Sequence, residues 1–399
     1  MMLMSSAAAA LAAVAVPENT AQVDAYALQA ELLWAAGQVA ALLLPACLLF
    51  TGWGAKLRTL CARWAGGSSY RTLTLFAAIY LLLAALFVLP IRYWRAIVLE
   101  GQFGQPVESL PQFLINHFVP AGTQIVVAAL FLWLFMGLIR KAPKTWWLWS
   151  ALASVPVIFA VLVALPVFVD PLMADYKPLT DKVLLAKIES FAARCGIGEI
   201  PVYVGGDDDT VVGLGPTNRV FLEDGIEKHE TPEQVEFTVA HELKHYVIGD
   251  NWKALAILFA FALVGLWLVN RYGRKAIARW HRRFGFEELH DPAALPLIAL
   301  VLSLLWLCIL PLFNWEARHI EMEADRFGLE LSHQNHAAAE LFAGWAHKEL
   351  SQTRYDLFFK LFRQTHPSLA ERIEFANTYH PWRDGKPLAY GDVCKMEAK

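Results

Sequence analysis

The chain has 399 residues, of which 57% are hydrophobic and 18% charged, with a formal net charge of −3. A soluble globular chain is nearer a quarter charged, so this balance points to a membrane, and the lack of a basic excess argues against a nucleic-acid partner. Five scattered cysteines (Cys47, Cys61, Cys195, Cys308 and Cys394), with no Cys-x-x-Cys, spell neither a disulfide framework nor a cysteine metal site, and leave the redox compartment open.

Residues 1–16 are apolar and alanine-rich but lack a basic leading stretch, and Ala13-Val14-Ala15 resembles a signal-peptidase site. The leader over 1–26 therefore reads as a cleaved signal, a short first membrane segment or a disordered lead-in. Six apolar runs follow, at about 27–50, 71–91, 121–139, 147–169, 253–270 and 293–313, each long enough to cross a bilayer. Buried core helices of a large soluble protein are the alternative. Too few polar segments are present to cover six uncharged runs. The first four make an N-terminal bundle over 27–172, with residues 92–120 as a mixed loop.

Residues 173–252 form a soluble segment. Leu179–Cys195 has helical periodicity, and Pro201–Val204 and Arg219–Leu222 read as short strands. Gly205-Gly206-Asp207-Asp208-Asp209 reads as a solvated loop, since its spacing fits no calcium-binding loop. Thr231-Pro232-Glu233-Gln234 is a helix start, with Thr as N-cap and Pro at the first helical position. Val235, Phe237, Val239, Ala240, Leu243 and Tyr246 keep the segment apolar until Gly249-Asp250 ends it. Inside that helix lies His241-Glu242-Leu243-Lys244-His245. The two histidines stand one turn apart on one face, where both imidazoles can bind one Zn²⁺. Glu242 lies beside that metal, placed to act as base toward an attacking water. Two chance histidines on a solvated helix are the bland alternative, yet composition alone yields such a pentapeptide in only about a few per cent of chains this long.

After the two spans of 253–313, a second soluble segment covers 314–399. No Pro or Gly interrupts 312–327, so the last span is expected to continue as a helix out of the membrane. Glu321 and Asp325 lie one turn apart on it. A Glu ligand with an Asp orienting a ligand histidine is a known pairing. Glu316, His319 and Glu323 compete from other faces, and spacing does not choose among them. On residue type alone, His366 reads as a surface histidine.

These residues together carry a resemblance. His241-Glu242-x-x-His245 is followed by Asn314-x₃-Arg318-x₂-Glu321-x₂-Ala324-Asp325, then by Thr365-His366-Pro367-Ser368 with Arg372-Ile373. Upstream stand Leu89-Pro90, Glu100-Gly101-Gln102-Phe103-Gly104, Asp170-Pro171-Leu172, Lys177-Pro178-Leu179, and Gly213-Leu214-Gly215 before Arg219-Val220-Phe221-Leu222-Glu223-Asp224. The ordered set, over roughly 75–380, resembles the integral-membrane zinc endopeptidases related to the CAAX prenyl protease that matures a-factor and prelamin. The bacterial heat-shock membrane protease is more distantly similar.

The resemblance implies one Zn²⁺ per chain held by His241, His245 and Glu321, with Glu242 as base. It implies that Asp325 supports a ligand histidine, that His366 and Arg372 face the cleft, and that His366 stabilises the oxyanion. Asn314 and Arg318 become structural or substrate-binding neighbours, and an edge strand near Val211–Leu214 pairs with extended substrate. Asp208-Asp209-Thr210 departs from the Asn-Ala usual at the start of that strand, and the eukaryotic enzyme has seven spans. The expected architecture is mainly α: a polytopic bundle of six spans, or seven if the leader crosses, with a zincin-like α+β catalytic domain built from 173–252 and 314–399. The partners implied are the lipid bilayer and a membrane-associated, lipidated or misfolded protein substrate. The membrane is the plasma or inner membrane in a bacterium and the endoplasmic reticulum in a eukaryote. A catalytically silent zinc-stabilised scaffold or chaperone is the alternative function.

Charge places the loops. Lys56, Arg58, Arg63 and Arg71, then Arg140, Lys141 and Lys144, then Arg271, Arg274, Lys275, Arg279, Arg282 and Arg283 fill three short loops that successive spans put on one side. The positive-inside rule makes that side cytoplasmic. Both soluble segments then face away from the cytoplasm, whereas the eukaryotic relatives present their catalytic domain to the cytosol.

Overall fold

The structure, a computed structural model, describes residues 12–160, 176–206, 209–214, 217–348 and 350–395. The chain divides into two compact units. One comprises residues 24–158 and 256–311, the other residues 1–23, 159–255 and 312–399.

The first unit is helical. It contains α1 (Ala21–Phe50, with its first three residues in the other unit), α2 (Trp53–Trp64), α3 (Ser69–Tyr93), α4 (Leu110–Lys141) and α5 (Trp146–Phe159). Helix α3 runs on through a π-helical turn to Gln102, and Ser109 caps α4, its side chain accepting from Gln112 N–H. The loop expected over 92–120 therefore shrinks to residues 103–109. Helix continues past the apolar runs, through Gly101 on one side and Pro120 on the other, and the connection turns at Gly104 in the left-handed region at φ 73°. Most of α9 (Asp250–Leu268), then α10 (Arg274–Phe284) and the first half of α11 (Leu295–Ser332) complete this unit. Five helices are long and apolar enough to cross a membrane among the described residues. Trp146–Phe159 is the described part of the run expected over 147–169, whose remainder lies outside the described residues.

Phe76, Trp146, Val269 and Ala293 fill the centre of this unit, and the Trp146 indole N–H donates to Asn270 Oδ1 at 2.9 Å. The outward faces stay apolar: Leu130 is 65% and Trp133 61% exposed. Lipid, not water, suits such a surface.

The second unit holds a four-stranded sheet in the order β1-β2-β4-β3, from β1 (Lys177–Pro178), β2 (Val202–Val204), β3 (Thr210–Val212) and β4 (Arg219–Leu222). β2 and β4 are parallel; β3 runs antiparallel to β4, with Val211 opposite Val220, and forms an edge. Helix α6 (Lys182–Arg194), capped by Asp181, and the helix α8 (Pro232–Ile248) that follows the short α7 (Ile226–His229) pack against the sheet. Ile188, Val202, Val220, Val239, Leu243 and Phe327 share one core. A second core joins Phe237 to α12 (Asn335–Lys348) and α14 (Leu369–Thr378), which flank the short α13 (Leu357–Phe362). β1 was not anticipated, and β3 was expected, near Val211–Leu214, only from the resemblance. Two- and three-residue strands are too short to show alternation.

Residues 12–20 belong to no helix or strand. Asn377 clamps Val14, accepting from its N–H at 3.0 Å and donating to its carbonyl at 2.8 Å, and Asn19 accepts from Thr353 N–H at 2.8 Å. Residues 21–26 of the leader begin α1, and residues 1–11 lie outside the described residues.

Candidate metal centre

Helix α8 is set by its ends. Thr231 and Gln234 form a reciprocal capping box, Pro232 occupies the first turn, and Gly249 closes the helix in the left-handed region at φ 71°. His241, Glu242, Leu243 and Lys244 are all buried between these ends.

The second half of α11 crosses α8 closely because Gly328 has no side chain. A Cβ there would lie 3.0 Å from the Phe237 ring and 3.2 Å from His241 N. This approach brings Glu321 onto the histidines. Its Oε2 lies 3.2 Å from His241 Nε2, and its Oε1 lies 3.7 Å from His245 Nε2. Donors roughly 2.0–2.2 Å from one tetrahedral centre stand about 3.3–3.6 Å apart, so these three suit Zn²⁺. They form the only such metal-capable group among the described residues. Of the competitors, Glu323 turns elsewhere, pairing with Arg326 and accepting from Tyr390 Oη.

Each histidine presents Nε2 because a carboxylate holds its Nδ1. Asp325 Oδ1 lies 3.0 Å from His241 Nδ1, and Asp250 Oδ2 lies 2.9 Å from His245 Nδ1. Both carboxylates are balanced by buried cations. Arg372 grips Asp325 with Nε at 2.8 Å and Nη2 at 2.6 Å, and Lys244 Nζ donates to Asp250 Oδ2 at 2.7 Å and Ile320 O at 2.9 Å. Sequence reading anticipated Asp325 but took Asp250 only as a helix terminator. Its place immediately after the C-cap glycine, five residues beyond His245, was the available signal.

Burial alone would lower the pKa of His241, but hydrogen bonds to Asp325 and Glu321 outweigh this and push it up to about 10. The site attracts a positive charge strongly, and a metal ion is the alternative occupant to that proton. Burial raises the Glu242 carboxyl above its usual range, with the neighbouring histidines opposing. Its Oε1 lies 3.9 Å from His241 Nε2.

These groups open on a cleft of about 750 Å³ lined by Thr210 and Val211 of the edge strand, Trp345, Tyr355, His366 and Arg372. Asn251 lines the same cleft and meets the open side of the edge strand, its amide donating to Gly213 O at 2.8 Å and to Val211 O at 3.4 Å. His366 Nε2 lies 3.5 Å from Glu321 Oε2, and its side chain is half-exposed. Asn314 and Arg318 act behind it, donating to Leu361 O at 2.9 Å and Gln364 O at 2.6 Å and so holding the turn that precedes Thr365-His366. Arg372 lines the cleft, but its guanidinium is committed to Asp325 and lies 4.0 Å from the Phe342 ring centroid. Asp209 is not part of a purely solvated loop: it also lines the cleft, Oδ1 accepting from Glu223 N–H at 2.9 Å, and burial raises its pKa to about 7. Asp207 and Asp208 lie outside the described residues.

Membrane-length helices joined to a His-Glu-x-x-His helix with a distal Glu define a membrane metallopeptidase architecture. The chain belongs to peptidase family M48, whose sequence profile matches residues 178–380; a profile described as the CAAX prenyl protease N-terminal region, five membrane helices, matches residues 3–175. An uncharacterized metalloprotease of Bacillus subtilis, YhfN, is 33% identical over 61% of this chain, and the match spans 58% of that relative's length. CAAX prenyl protease 1 of Saccharomyces cerevisiae is 23% identical over 73% of this chain and 69% of its own length. The crystal structure of S. mikatae Ste24p shares the fold, with a TM-score of 0.77 at 18% identity over 90% of this chain and 88% of that one.

Two substitutions separate ligation from orientation. His245→Ala removes a donor and should abolish stoichiometric zinc in purified protein, measured by elemental analysis. Asp250→Asn leaves every donor in place but weakens the brace on His245, so zinc affinity should fall about 10- to 100-fold in a chelator competition. Unchanged affinity would show that Asp250 does not orient the ligand.

Proposed function

We propose that this protein is an integral-membrane zinc endopeptidase. The observation that carries this reading is the convergence of His241, His245 and Glu321 donors beside the buried carboxylate of Glu242, in a cleft walled by the edge strand β3. One Zn²⁺ bound by those three would supply Lewis-acid polarisation of the scissile carbonyl and acidification of water. The chain's own residues do the rest. Glu242, its proton affinity raised by burial, takes the proton from the attacking water and returns it to the leaving amine. His366 reaches the cleft from a turn held by Asn314 and Arg318, placed to donate to the oxyanion. The open side of β3, where Val211 turns its backbone groups toward the cleft beside Asn251, holds substrate extended by β-augmentation. A silent scaffold would have no use for a buried glutamate at this position.

Substrates on this reading are membrane-associated proteins, with prenylated C-terminal peptides and misfolded membrane proteins as the two classes. The basic loops support a catalytic unit facing away from the cytoplasm.

Glu242→Gln should abolish peptide hydrolysis while zinc content stays at the wild-type level, because a base and not a ligand is lost. The inactive variant should retain its substrates, and cross-linking followed by mass spectrometry would identify them. Turnover near the wild-type rate would contradict the assignment.

Sidedness has its own test. Enzyme reporters fused after Gly205 and after Arg279 should give non-cytoplasmic and cytoplasmic signals respectively. A cytoplasmic signal at Gly205 would reverse the placement.

A further inference from the structure

Cys195 and Cys394 are joined by a disulfide across a sequence separation of 199 residues. Cys394 is only 2% exposed and lies in the cluster that contains Ile188, Val239, Leu243 and Phe327. The other cysteines, Cys47, Cys61 and Cys308, are unpaired. The bond is therefore not a chance encounter of surface thiols; it joins the C-terminal segment to the core beneath the metal helix.

Polar contacts prepare the junction. Lys395 N–H donates to Arg194 O at 2.9 Å, Arg194 Nε donates back to Lys395 O at 3.1 Å, and Arg194 Nη1 reaches Leu331 O at 3.0 Å. Upstream, the buried carboxylate of Glu330 accepts from the N–H groups of Ala389 and Tyr390 at 2.8 and 2.9 Å and from the Tyr379 hydroxyl. Tyr390 Oη donates to Glu323 at 2.9 Å and its ring meets Phe327 edge-on. Residues 379–395 thus cross the half of α11 that bears Glu321 and Asp325. They end bonded to the C-terminus of α6, which shares its core with α8.

We propose that Cys195–Cys394 is a native disulfide, acquired on the non-cytoplasmic face, that clasps the C-terminal segment over α11 and so fixes the Glu321 ligand against the two histidines. The proposal rests on the placement of the catalytic unit outside the cytoplasm, to which it adds an observation independent of charge: structural disulfides persist in oxidising compartments, and the cytosol keeps thiols reduced. Closure removes two protons and two electrons from the paired thiols. A dithiol/disulfide oxidoreductase accepts both through a mixed disulfide and leaves as its dithiol. The clasp touches no ligand, so its effect on the metal is exerted through the position of α11.

The test uses the full-length protein in its own membranes. Free thiols are capped with a maleimide polymer in denaturant, with and without prior reduction, and counted by mass shift. Three cysteines should be capped without reductant and all five with it. Purified protein exposed to mild reductant, and separately a Cys195→Ser/Cys394→Ser variant, should each melt several degrees lower and lose zinc to a chelator several-fold faster. Capping of all five cysteines without reductant would overturn the disulfide. Protection of the pair with unchanged zinc release would overturn the clasp. The Gly205 reporter separates this from sidedness: a protected pair with a cytoplasmic reporter signal would overturn the compartment and leave the bond standing.

Discussion

The arrangement depends on one buried contact, Asp325 held between Arg372 and His241. A carboxylate that is 1% exposed is costly unless its charge is met at bonding distance. Arg372 meets it with two guanidinium hydrogens, and the remaining acceptor capacity fixes the His241 ring. The pair links α14, α11 and α8 through side chains, so orientation of a ligand and packing of the unit become the same interaction. Lys244, Asp250 and His245 repeat the pattern around the second histidine. The double bracing explains why Lys244, a residue rarely buried, is 2% exposed inside the metal helix.

A second constraint is steric. Glu321 comes from a helix that begins in an apolar run and continues to Ser332. It meets α8 at Gly328, where a side chain would strike Phe237 and the backbone of His241. A larger residue there would push Glu321 away from the histidines without altering any donor.

Much of this was legible from residue type and spacing. Five of the six apolar runs became membrane-length helices, extended at their ends even through Gly101 and Pro120, and the described part of the run over 147–169 is helical too. The Thr231 cap and the Gly249 stop followed from residue type, and the position of Glu321 relative to Asp325 from helical spacing. Other features escaped because they are set by contacts distant in sequence. Asp209 reads as a loop residue until β3 pairs with β4 and turns it into the cleft wall. Asp250 reads as a terminator until its carboxylate is seen to close on His245. The Cys195–Cys394 bond joins residues with no sequence pattern in common, and two widely separated cysteines among five permit several pairings. Choosing among Glu316, His319, Glu321 and Glu323 also needed the crossing of two helices, which local spacing does not encode.

The central claim is that one metal ion sits on the three donors that these braces orient. Anomalous diffraction recorded on both sides of the zinc absorption edge, from crystals of the protein purified without added metal, tests it most directly. The account predicts a single strong zinc peak bonded to His241 Nε2, His245 Nε2 and the Glu321 carboxylate. A peak bonded to other residues, or no anomalous density between these three, would contradict it.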